Sequence, residues 1–204
     1  MTPPTNVTAS KVWSWLFRHQ LSELRRAYQA AHQASELERR AIENKWNELQ
    51  ERVDAGAAQL FEEDKYGNVV VDWGEQVGEE LSAIEGVERI YREAFLISLY
   101  HFWERELLKR MKKKRYSDQE VFSFLSDSGC SPDELNLTAL RLSANVAKHS
   151  EGTSADQLHK LRPDLFDTKE IAKWSDEPGH EYLLITDDVL EMFFEAVRKS
   201  GPAK

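Results

Sequence analysis

The chain has 204 residues, 41% of them hydrophobic and 31% charged, with a formal net charge of −9. That length supports one sizeable core, or one core with an extension. The acidic balance argues against a broad electrostatic grip on nucleic acid. Cys130 is the sole cysteine, so an intramolecular disulfide is excluded, a Cys-based zinc site lacks ligands, and a reducing cytoplasm is the expected compartment. Residues 1–5 show no basic segment followed by an apolar one, so no secretory signal is expected. The longest apolar-rich run, residues 94–103, is too short and polar to span a bilayer, and no membrane partner is expected.

Residues 10–62 contain no proline and a single glycine, Gly56. Val12, Leu16, Leu24, Ala27, Ala31, Leu37, Ala41, Trp46, Leu49, Val53 and Leu60 recur at helical spacing. The pattern predicts one very long helix, or two helices with a tight joint near residues 34–36. An unbroken helix of that extent would be about 75 Å long at 1.5 Å per residue, which implies a break or an oligomeric role. Residues 64–74 interrupt the pattern. Gly67 and Asn68 signal a turn, and Val69, Val70 and Val71 favour extended structure. A second β-prone stretch, residues 181–186, is a candidate partner for them.

Helix resumes near Glu75 and is expected to reach Lys113. Tyr91, Phe95, Phe102 and Trp103 make it the most aromatic stretch, with Ile84, Val87, Ile90, Ala94, Leu99 and Leu107. Ser117 with Glu120, and Ser131 with Glu134, fit capping boxes, in which hydroxyl and carboxylate satisfy orphan amides. Pro132 suits a first helical position. Ser154 with Gln157 is a third start, and Gly129 and Gly152 are placed to end the preceding helices. Residues 162–179 read as a loop with one helical turn near residues 168–174. Thr186 caps a last helix with Val189, Leu190, Phe193, Phe194 and Val197 inward. The sum is an all-α fold, an antiparallel helical bundle over residues 76–204. A long N-terminal helix or helical hairpin (residues 1–63) and an extended, minor β segment (residues 64–75) precede it.

The chemistry concentrates in one stretch. Arg141, Asn145, Lys148 and His149 stand at i, i+4, i+7 and i+8, which puts them within one stripe of a helix. Leu135, Leu137, Ala139, Leu140, Leu142, Ala144, Val146 and Ala147 surround them, and a helix apolar most of the way round is normally buried. Unpaired polar groups on such a helix cost kilocalories, so the stripe either meets partners inside the bundle or faces a cleft. In the first case Arg141 and Asn145 staple helices, and His149 ends one. In the second the set suits metal-free RNA cleavage. Imidazole moves protons near neutral pH, and a guanidinium holds phosphate bidentately.

Lys109, Arg110, Lys112, Lys113, Lys114 and Arg115 place six cations in seven residues. They read as a solvated helix end favoured by the helix dipole, or as a phosphate-holding patch that guides RNA together with Lys148. His101 and Arg105 share a face at i, i+4, and Glu104 or Glu106 is a candidate partner for Arg141. None of the six histidines has a second one at i+3 or i+4, and no glycine-rich phosphate loop or Gly-x-Ser-x-Gly elbow is present. No metal or other cofactor is expected. Cys130 sits in a turn before Ser131 and Pro132 and reads as an ordinary small residue.

At three places the chain resembles the HEPN superfamily of small α-helical proteins. They are the aromatic helix around Tyr100, His101, Phe102, Trp103, Glu104 and Arg105, the capped helix running from Arg141 through Asn145 to Lys148 and His149, and the closing helix from Asp188 to Val197. The resemblance covers residues 76–200 by helix order and pattern. It implies a metal-independent endoribonuclease of toxin–antitoxin or phage-defence type, usually a homodimer with a composite site. It matches Arg141 and His149 to the family's Arg…His pair, with a longer spacing than the family pattern. Residues 10–62 suit a protein partner, and the alternative reading is a non-catalytic HEPN-like interaction module, an antitoxin or defence-complex subunit.

Overall fold

A computed structural model describes residues 9–201, with side chains from residue 14 onward. The reading of residues 1–5 and the inward face of Val12 lie outside the described residues. The protein is mostly helical, with one two-stranded sheet among the described residues. None of the described helices is long and apolar enough to cross a membrane.

The first helix, α1 (Ala9–Asp54), is continuous, so the joint considered at residues 34–36 is absent. No helix breaker interrupts it. Ser35, at the suspected joint, is buried and turns its hydroxyl to Glu88 Oε1 at 2.9 Å rather than to its own backbone. The helix ends before Gly56, whose φ of +70° is left-handed and suits glycine. Strands β1 (Phe61–Glu63) and β2 (Val69–Asp72) then pair antiparallel. The Asp64 carboxylate shapes their turn, accepting from the Tyr66 and Asn68 amides at 2.8 and 3.0 Å. The three valines are therefore extended as expected, but their partner is the adjacent strand and not residues 181–186. Closing a short hairpin costs far less loop entropy than pairing across the chain. Leu183 instead bridges Phe166.

The remaining helices are α2 (Trp73–Met111), α3 (Asp118–Asp127), α4 (Glu134–His149), α5 (Thr153–Leu161), α6 (Thr168–Trp174) and α7 (Asp187–Ser200). Three of the expected starts are corrected. Ser117 does precede α3, but its side chain caps nothing, and Glu120 is held by Lys113 at 3.0 Å instead of reaching back. Asp133, not Ser131, caps α4 by accepting from the Asn136 amide, so Pro132 lies outside the helix. Gly152, not Ser154, stands before α5, where no side chain caps the helix, so Gly152 does not end α4, which stops at Ser150 with φ +63°. Gly129 does follow α3: at φ +76° it donates to Ser126 O, and the next amide, from Cys130, reaches Leu125 O. Thr186 caps α7 through its hydroxyl.

The chain divides into two compact units. One is Tyr28–Tyr91, in which stretches of α1 and α2 run antiparallel. Ser35 and Arg39 both bind the buried Glu88 there, and His32 lies 3.3 Å from the Tyr91 hydroxyl. The other comprises residues up to Ala27 and from Arg92 onward. Its centre is α4, which packs on α5 and α7 and buries Leu137, Ala139, Leu140, Leu142, Ser143, Ala144 and Val146. Phe17 from α1 packs tilted against Phe102 of α2, with ring centres 5.1 Å apart. Arg92 forks onto Asp187 at 3.1 and 2.7 Å, which ties α2 to the first turn of α7.

Candidate functional site

Helix α4 carries the four stripe residues, and it stays helical through His149 because its apolar girdle is buried on nearly every side. Arg141 and Asn145 are half-buried, whereas Lys148 and His149 are exposed in the last turn. The partner of Arg141 is Asp118, not Glu104 or Glu106. Nε and Nη2 donate to the two carboxylate oxygens at 3.2 and 2.8 Å. Glu104 is occupied by the Tyr100 hydroxyl at 2.8 Å and by His101 at 3.5 Å, and Glu106 lies 3.3 Å from Arg105. His101 and Arg105 are both exposed, so neither needs a partner inside the bundle.

Two tyrosines complete the surroundings. The Arg141 guanidinium lies 5.9 Å from the Tyr116 ring, Tyr116 meets Tyr100 edge-on at 6.4 Å, and the Lys148 ammonium sits 5.6 Å from the Tyr100 ring. Cations favour aromatic faces at such separations. Arg141 and Lys148, two turns apart on α4, are thus bridged by a pair of aromatic rings. Burial pushes both phenols well above the usual tyrosine range. The neighbouring Glu104 carboxylate adds to this for Tyr100, and Asp118 for Tyr116. Sequence reasoning missed Asp118 and Tyr116. The available signal was an acid in the first turn of the helix opening after Ser117.

The remaining members do not form one site. His149 has no hydrogen-bond or ion-pair partner among the described residues, and no contact links it to Arg141. Asn145 likewise makes no hydrogen bond to His149. The basic run straddles the end of α2 and the turn after it, with Lys112 at φ +55°. Lys113 is paired with Glu120, and Arg110 lies 5.0 Å from the Phe124 ring. Lys109, Lys112, Lys114 and Arg115 are exposed. Among the described residues no three His, Cys, Asp or Glu side chains are grouped to hold a metal ion. Cys130 is half-buried and points its thiol at the Gly201 carbonyl, 3.3 Å away.

No protein-family model, curated protein or solved structure matches this chain.

Proposed function

We propose that the chain is a metal-independent endoribonuclease of HEPN type, built on a HEPN-like helical bundle, acting as a homodimer in the cytoplasm. The supporting observation is the state of Arg141. Asp118 engages Nε and Nη2 and leaves Nη1 without a hydrogen bond among the described residues. The guanidinium is therefore pre-oriented and keeps one nitrogen for a phosphate oxygen. Exposed Lys148 and His149 lie on the same helix. In this reading His149 takes the proton of the RNA 2′-hydroxyl, whose oxygen attacks the adjacent phosphorus. The 5′-oxygen departs and takes a proton from water, leaving a cyclic phosphate and a 5′-hydroxyl. Arg141 stabilises the phosphate, and Lys148 with the exposed cations of residues 109–115 guides the strand.

The same ion pair favours a second reading, the non-catalytic interaction module. There Asp118 neutralises Arg141 and the pair simply fastens α3 to α4. One assay separates the two. Purified protein is incubated with total RNA in EDTA. Cleavage that persists in EDTA and disappears in His149→Ala, with an unchanged melting temperature, supports the nuclease. Inactive wild-type protein that co-purifies with a stable partner supports the module. Equal cleavage by His149→Ala removes His149 from the mechanism.

A further inference from the structure

The unit Tyr28–Tyr91 carries a groove that its own helices do not fill. Two adjoining pockets, of about 340 and 380 Å³, run between α1 and α2 and share Ile42, Lys45 and Glu80. Ile42 and Ile84 form the floor at one end, and Trp46, Leu49 and Val77 at the other. The rim there is made of small or apolar side chains, Ala41, Ala83 and Val87, all exposed. Leu37 and Ile90, within a turn of that rim, are 67% and 64% exposed. Two helices form a single layer, and a single layer cannot enclose an apolar seam without a second one above it.

We propose that a second copy of this chain covers the groove, so that the two helix pairs form a four-helix bundle. The charges select this occupant. Lys45 on α1 and Glu80 on α2 face the same two pockets from opposite walls, both exposed. Neither has an ion-pair partner in its own chain among the described residues. A two-fold axis lying along the groove sets α1 of one copy over α2 of the other at the same level. Lys45 of each copy then meets Glu80 of the partner copy, and the contact is made twice, as a self-complementary interface requires. Every helix gains an antiparallel neighbour, the usual arrangement of such bundles. Ala41 and Ala83 allow the close approach that interdigitated packing needs.

This inference rests on the homodimer part of the proposed reading and not on RNA cleavage. Light scattering of the full chain at micromolar concentration is expected to give twice the single-chain mass of 23.6 kDa. Lys45→Glu places four carboxylates around the axis and is expected to weaken self-association at least about tenfold. The swap Lys45→Glu with Glu80→Lys is expected to restore it. Both positions are exposed, so folding is unaffected, as the circular dichroism spectrum will show. A monomeric wild type overturns the inference and the homodimer together. A dimer indifferent to Lys45→Glu overturns this face while leaving the homodimer standing. A swap that stays monomeric overturns the Lys45–Glu80 pairing.

Discussion

Arg141 grips Asp118 with two parallel contacts, Nε at 3.2 Å and Nη2 at 2.8 Å, and so fastens α4 to the first turn of α3. The guanidinium is four-fifths covered, and the carboxylate is more open, at 37% exposure. The pair therefore sits between a solvated surface bridge and a buried one. Its fork geometry adds direction to what would otherwise be a weak contact.

A double-mutant cycle measures that contact. With Asp118 over one-third exposed, solvent screening holds the coupling between Arg141→Ala and Asp118→Ala to about 1 kcal/mol in denaturant unfolding. Arg141→Lys is expected to lose most of it, because an ammonium cannot make the fork. Zero coupling would show that the geometry contributes nothing to stability.

Trp103 is fully buried, and its indole N–H donates to Ser200 Oγ at 2.8 Å, which in turn donates to Val197 O. Ser200→Ala leaves the indole N–H without an acceptor. A loss of about 1–3 kcal/mol is expected, the cost of a stranded buried donor. Ser200→Thr, which keeps the hydroxyl, should lose less. Urea melts of the two variants check this.

Gly201 lies against Phe17. A Cβ there would come within 2.5 Å of Phe17 Cε1, and the ring is itself buried. Gly201→Ala is expected to destabilise by about 1–3 kcal/mol through overpacking. Shortening the ring in the double variant with Phe17→Leu should recover part of the loss. Additive effects would mean that the two residues do not touch in solution.

The raised phenols of Tyr100 and Tyr116 make stability fall in alkali. Their folded-state values lie above the ordinary 10.0, so between the two values the unfolded chain has released protons that the folded chain keeps. The contribution is complete below pH 10 and declines as pH rises beyond it. The melting temperature should fall above pH 10, and fall less steeply in Tyr100→Phe with Tyr116→Phe. Parallel slopes for the variant and the parent would contradict the assignment.

Core variants test the central place of α4. Leu137 and Leu140 are fully buried, and Leu→Ala at either is expected to cost about 2–5 kcal/mol. Leu135, on the same helix but nearly half-exposed, should cost under about 1 kcal/mol on the same change, as surface positions do.

Helical content was legible in the sequence because the signals for it are local. The periodic apolar residues of α7, the hydroxyl of Thr186 and the left-handed Gly129 act within one or two turns of themselves. The seven-residue α6 was legible within an otherwise irregular region for the same reason. Caps were less so: Asp133 and Ser131 both offer an oxygen near the start of α4, and the choice depends on how the chain enters the helix. The site was half legible. Arg141, Lys148 and His149 are spaced by the helix itself, and their own sequence announces them. Asp118 and Tyr116 reach Arg141 only because α3 folds back beside α4, and Glu104 was already taken by Tyr100. The amino-acid order by itself determined which segments coil, but not which face of each is covered: Leu16 and Leu37, expected on the inner face of α1, are exposed, and Phe17, Leu21, Tyr28 and Ile42 are buried instead. Only the tertiary structure decided which charge meets which, because an ion pair forms between groups that packing brings together, however far apart they lie along the chain.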